Sequence, residues 1–118
     1  MMRLHLNIGS NSGNRRARIR AAIAAVGLFI DRHGGRISLS APVRSEPWGY
    51  YSPNEFLNIG LMIDLPGVAT VGRLEEILAH LQAIERAICP APHRNPDGTY
   101  RDREIDIDII AADIPVST

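Results

Sequence analysis

Two acidic residues spaced two apart on a strand are the part of this chain best suited to chemistry. Asp106 and Asp108 alternate with Ile105, Ile107 and Ile109, the period of a half-buried strand with one greasy face and one acidic face. Two residues of strand span about 6.8 Å, so the carboxylates stand side by side. Their repulsion is about 2 kcal/mol at an effective dielectric of about 20. Solvent or a cation can relieve it. Mg²⁺ takes hard oxygen ligands and usually only one or two carboxylates from protein, which makes the pair a candidate metal site. The competing interpretation is a solvated strand face balanced by Arg101 and Arg103.

Other groups are individually weaker. Gly9-Ser10-Asn11-Ser12-Gly13 lies between a strand and a helix, where a helix N-terminus can hold an anion. Its spacing is neither a Walker loop nor a dinucleotide fingerprint. It reads better as a turn, with Asn11 or Ser12 as N-cap. Arg15, Arg16, Arg18 and Arg20 read as a solvated helix face. Arg94, Arg101 and Arg103 flank a loop containing Asp97-Gly98 and Tyr100, and guanidinium groups suit phosphate oxygens; loop solubility explains them equally. Gln82 and Glu85 can share one helix face, as ligands or as ordinary surface residues. Cys89 has no evident partner histidine and is expected to be structural. The four histidines lack zinc-ligand spacing.

The elements that must position these residues follow from periodicity. Leu4, Leu6 and Ile8 begin a strand. Ile19, Ile23, Val26 and Ile30 repeat at helical spacing. Ile37, Leu39, Ala41 and Val43 predict a second strand. A loop from Ser45 to Glu55 follows, and Leu57, Ile59, Leu61 and Ile63 predict a third strand. Leu74, Ile77, Leu78, Leu81, Ile84 and Ile88 form a helical stripe, ended by Pro90 and Pro92. The aspartate strand comes last. The order βαββαβ predicts an α+β, ferredoxin-like fold, with a four-stranded antiparallel sheet and two helices on one face. His5, Asn7, Phe56, Asn58, Asp106 and Asp108 should then share the opposite face. A ring, amides and two carboxylates there suggest a platform for a flat polar ligand beside a metal; a dimer surface or a wet sheet face is the alternative.

Length and composition bound the rest. The 118 residues predict a single domain, 1–118, and 45% hydrophobic content suffices for a core. Thirteen basic residues balance thirteen acidic ones, so no global excess points to nucleic acid or an anionic membrane. The longest apolar run, Ala21 to Ile30, is too short to span a bilayer. No signal peptide is read at the N-terminus. One cysteine rules out an internal disulfide and fits a reducing, cytoplasmic setting.

Together the motifs resemble hydroxymethyl-dihydropterin pyrophosphokinase, a folate-pathway family. The resemblance runs from Leu4 to about Ile110. It is carried in order by Ile8-Gly9-Ser10-Asn11, Arg44-Ser45-Glu46-Pro47-Trp48-Gly49, Pro53-Asn54-Glu55-Phe56-Leu57-Asn58, Gln82-Ala83-Ile84-Glu85 and Arg103 through Ile109. The last is the most specific. The resemblance implies transfer of pyrophosphate from ATP to the pterin hydroxymethyl group, with release of AMP. It implies two Mg²⁺ ions on Asp106 and Asp108, and Phe56 stacked on the pterin with Asn58 at its edge. Ser45, Glu46 and Trp48 would line the pterin pocket, with Tyr100 in place of a closing tryptophan. Gln82, Glu85, Arg103 and Ile109 would meet the nucleotide, together with Arg94 from the loop. Family members continue further and draw ATP contacts and a second aromatic wall from that segment. Arg101-Asp102 also stands where they have Gly-Pro. A non-catalytic pterin- or nucleotide-binding relative with an incomplete ATP site is therefore the alternative, and self-association through a less covered sheet face is a further expectation. An RNA-binding sheet ranks low, because the carboxylates would repel phosphate.

Overall fold

In a computed structural model of the chain, residues 1–11, 13–45, 55–89, 96–97 and 105–113 are described. They form β1 (Met2–Ser10), α1 (Arg15–Arg32), β2 (Arg36–Leu39), β3 (Val43–Ser45), β4 (Phe56–Leu65), α2 (Val71–Ile88) and β5 (Asp106–Asp113). The sheet is antiparallel, in the order β2-β4-β1-β5, with β3 also paired to β4. This is the expected α+β arrangement, with five strands among the described residues where four are expected from sequence.

The extra strand arises from a break in the predicted second one. Pairing runs from Arg36↔Asp64 to Leu39↔Leu61, then resumes at Val43↔Asn58. Three residues, 40–42, thus face two on β4, which is a bulge. Pro42 has no N–H to give the ladder. The Ser40 hydroxyl takes up the slack, accepting from the Gly60 N–H at 2.7 Å. The slip turns Val43 away from the helices, leaving it 60% exposed, whereas simple alternation predicted it on the core side. It also brings Ser45 level with Phe56.

The core lies between the sheet and both helices. Met2, Leu4, Leu6 and Ile8 of β1 and Ile59, Leu61, Ile63 and Leu65 of β4 are buried, as are Ile105 and Ile107. Against them α1 sets Ile19, Ala22, Val26 and Ile30, and α2 sets Ile77 and Leu81. The predicted α2 stripe is narrower than expected. Leu78 is exposed, while Glu85 is buried. Cys89 is partly buried and packs against the core. At the far end of the sheet Arg3 forks onto Asp64, Nε to Oδ1 at 2.7 Å and Nη2 to Oδ2 at 3.1 Å. That hydrogen bond holds the Asp64 carboxyl below the usual carboxylate range.

Helix α1 starts later than predicted. Asn14, not Asn11 or Ser12, is the N-cap, and its side chain accepts from the Ala17 N–H at 3.1 Å. Gly13, at φ +65°, makes the turn that delays it. Asn11 is instead buried at the end of β1, and Ser12 lies outside the described residues. Replacing Asn14 with Ala should cost about 1 kcal/mol in urea denaturation, and an unchanged midpoint would contradict this helix start.

Candidate active site

Strand register gathers the site on the sheet face opposite the helices. Gly9 pairs with Asn58 on one side and Asp106 on the other; Asn7 pairs with Gly60 and Asp108. Directly paired residues share a face, so Asp106, Asp108, Asn7 and Asn58 all stand on the open side. Phe56, two residues before Asn58, joins them. Strands lie about 4.8 Å apart, so β4 and β5, flanking β1, separate the amide from the acidic pair by about 10 Å.

Gly9 is the floor of this arrangement. A Cβ there would lie 2.8 Å from Asn58 Oδ1, 3.2 Å from Phe56 Cδ1 and 3.6 Å from Asn7 Nδ2. The missing side chain is what lets ring and amides converge above the backbone. The Asn58 amide is fully oriented: Nδ2 donates to Ser45 Oγ at 2.7 Å and to the Val43 carbonyl at 3.3 Å, and Oδ1 accepts from Asn7 Nδ2 at 3.1 Å. Ser45 reaches Asn58 only because of the bulge before β3.

The acidic strand is held from behind. Glu85 of α2 is buried, and its Oε2 accepts from the Ile107 N–H at 3.2 Å, between the two aspartates in sequence. It is therefore no ordinary surface residue, whereas Gln82, one turn earlier, is exposed. A second bulge falls in β5, where pairing passes from Leu6↔Ile109 to His5↔Ala111. Ile109 packs against the core. The skipped Ile110 is exposed and joins His5, Ser38, Gly60 and Met62 around a hollow of about 300 Å³.

One contributor was missed from sequence. Arg15, assigned to the solvated helix face, donates through Nη1 to the Glu55 carbonyl at 2.8 Å, anchoring the backbone just before Phe56. Nothing in the sequence marks it apart from Arg16 or Arg20. Glu46, Trp48, Arg94, Tyr100 and Arg103 lie outside the described residues. So does Arg101.

Among known proteins, the family model described as 7,8-dihydro-6-hydroxymethylpterin-pyrophosphokinase matches residues 5–117. A 2-amino-4-hydroxy-6-hydroxymethyldihydropteridine pyrophosphokinase of Porphyromonas gingivalis is 37% identical over 109 residues, covering 91% of this chain and 67% of that protein. The identically named protein of Mycobacterium tuberculosis is 32% identical over 111 residues, covering 94% of this chain and 52% of its own length. The chain thus spans about two thirds of the first relative and about half of the second.

Gly9→Ala should destabilise the fold by about 1–3 kcal/mol through overpacking and shift the Phe56 ring signals in NMR spectra. An unshifted ring would contradict the convergence. Glu85→Ala should leave the Ile107 N–H without its acceptor, at about 1–3 kcal/mol, and speed hydrogen exchange at that amide. Unchanged exchange would show that Glu85 does not hold the strand.

Proposed function

The chain belongs to the 7,8-dihydro-6-hydroxymethylpterin-pyrophosphokinase family, and we propose how its own residues carry out that family's pyrophosphokinase reaction in folate biosynthesis. Pyrophosphate passes from ATP to the hydroxymethyl oxygen of the dihydropterin, and AMP leaves. One observation carries the assignment of roles: Asp106 and Asn58 flank Gly9 on one sheet face, with Phe56 beside them.

Phe56 stacks on the pterin ring. Asn58 Oδ1 accepts from Asn7 and, as a carbonyl oxygen, keeps a second lone pair, which suits an N–H of the pterin edge. By their place in the family motifs, Glu46 and Trp48 join Ser45 in the proposed set of pterin-binding residues, and Tyr100 belongs to the same set. The hydroxymethyl oxygen attacks the β-phosphorus directly; the bond from that phosphorus to the α,β-bridging oxygen breaks, and the hydroxyl proton is released. No protein nucleophile is needed, because this chemistry rests on positioning and charge neutralisation.

The donor set on β5 fits magnesium. Both groups are hard oxygens, and among the described residues no cluster of three or more His, Cys, Asp or Glu stands ready to hold a metal alone. Mg²⁺ commonly takes one or two carboxylates and fills its shell with water and phosphate oxygens. Asp106 and Asp108 would hold two Mg²⁺ ions, whose charge, when bound, offsets that of the triphosphate. Arg94 and Arg103 grip the nucleotide phosphates, with Gln82, Glu85 and Ile109 on the nucleotide side. Glu85 also acts by securing β5.

No described helix is long and apolar enough to cross a membrane. We take the enzyme to work in the cytoplasm, supported by its single cysteine, on small-molecule substrates without nucleic acid or membrane. The exposed Val43 and Ile110 support contact between two copies, read out by light scattering.

One second reading, motivated by Arg101-Asp102 where the family has Gly-Pro, is a non-catalytic pterin- or nucleotide-binding relative. Calorimetry with pterin alone, beside an AMP-release assay, separates the two. With ATP, hydroxymethyl-dihydropterin and magnesium, the chain should release AMP. Joint replacement of Asp106 and Asp108 by Ala should slow release about a thousandfold or more, equivalent to several kcal/mol of lost charge stabilisation. An equally fast double variant would refute the metal role.

A further inference from the structure

Asn7 lies just outside the Ile8-Gly9-Ser10-Asn11 motif, yet its side chain hydrogen-bonds Asn58 and its backbone is in register with Asp108. We propose that Asn7 is a positioning residue: its side-chain NH₂ satisfies the Asn58 oxygen that the Val43 carbonyl turns toward β1, and so holds the Asn58 amide in place for the edge of a bound pterin. The proposal rests on the functional reading above.

The hydrogen bonds run in one sense only. The Val43 carbonyl can only accept, so the Asn58 edge facing it must be the NH₂, at 3.3 Å. The same NH₂ donates to Ser45 Oγ at 2.7 Å. That turns Asn58 Oδ1 toward β1, where it needs a donor. Asn7 Nδ2 supplies it at 3.1 Å. The orientation of both amides therefore follows from one backbone carbonyl, rather than from an arbitrary choice between O and N. Asn7 in turn pairs across the sheet with Asp108. With its NH₂ committed to Asn58, it keeps an acceptor oxygen on a face that already carries two carboxylates.

This predicts a distinctive order of variants. Asn7→Asp is nearly isosteric but places a carboxylate oxygen against Asn58 Oδ1, two acceptors with no proton between them. Asn7→Ala merely removes the donor and lets water replace it. If Asn7 only filled space, Asp would behave like Asn and Ala would be the worse variant. The relay predicts the reverse.

The test measures pterin affinity by calorimetry without ATP or magnesium, together with the KM for each substrate and the melting temperature. Asn7→Ala should weaken pterin binding up to about tenfold, the range of one net hydrogen bond, with the ATP KM and melting temperature little changed. Asn7→Asp should bind pterin more weakly still. In ¹H–¹⁵N spectra without ligand, the Asn58 side-chain NH₂ signals should move in both variants. Parent-like pterin binding by Asn7→Ala, or an Asp variant that binds as well as Asn, overturns the Asn7 role and leaves the functional reading intact. Failure of the parent chain to bind pterin overturns both.

Discussion

The whole site depends on an absence of atoms at one position. Gly9 sits at the node where β1 meets β4 and β5, and a methyl group there would collide with Asn58 and crowd Phe56. The proposed pterin and metal roles require an aromatic ring and an amide to lie low over this backbone while a carboxylate stands on its other flank. A sheet provides that precision at little cost, because register fixes which side chains are neighbours. The ladder that builds the core with Leu4, Leu6 and Ile8 is the same ladder that aligns Asn7 and Gly9 with Asp108 and Asp106. Stability and function are two faces of one strand.

Departures from regular pairing refine this frame. The bulge before β3 moves Val43 and Ser45 to the open face and costs a well-buried valine. In return the Ser45 hydroxyl accepts a 2.7 Å bond from Asn58. Glu85 reinforces the opposite edge from the helix layer, where β5 has no second strand partner among the described residues. Arg15 pins the chain immediately before Phe56. Each contact reaches the site from a different element, so the pocket is assembled by tertiary structure rather than by one loop.

Much of this was legible in the sequence. Alternation in β1, β4 and the aspartate strand gave their faces correctly, because a period of two leaves only two choices. The order of elements then gave the fold. The motif Asp106-Ile107-Asp108 was readable because its apolar members had to point inward. What escaped notice depended on single residues that break a period. Pro42 and the Ser40 hydroxyl create the bulge, and alternation carried through them assigns Val43 to the wrong side. Gly13 delays α1 to the Asn14 cap. The burial of Glu85 was not legible, because sequence left it between a ligand contact and a surface residue, and one of its partners, the Ile107 N–H, lies 22 residues away. Arg15 was indistinguishable from its neighbours for the same reason.

The central claim is that a cation held by the β5 carboxylates and a flat ring on Phe56 share one side of the sheet across Gly9. Paramagnetic Mn²⁺, titrated into ¹⁵N-labelled protein in place of Mg²⁺, tests it most directly. Broadening should begin at the amides around Asp106–Asp108 and Asn7–Gly9, then reach the Phe56 ring, while the outward surfaces of α1 and α2 stay sharp. Broadening centred on the helix layer, or one that spares β1 while bleaching β5, would contradict the account.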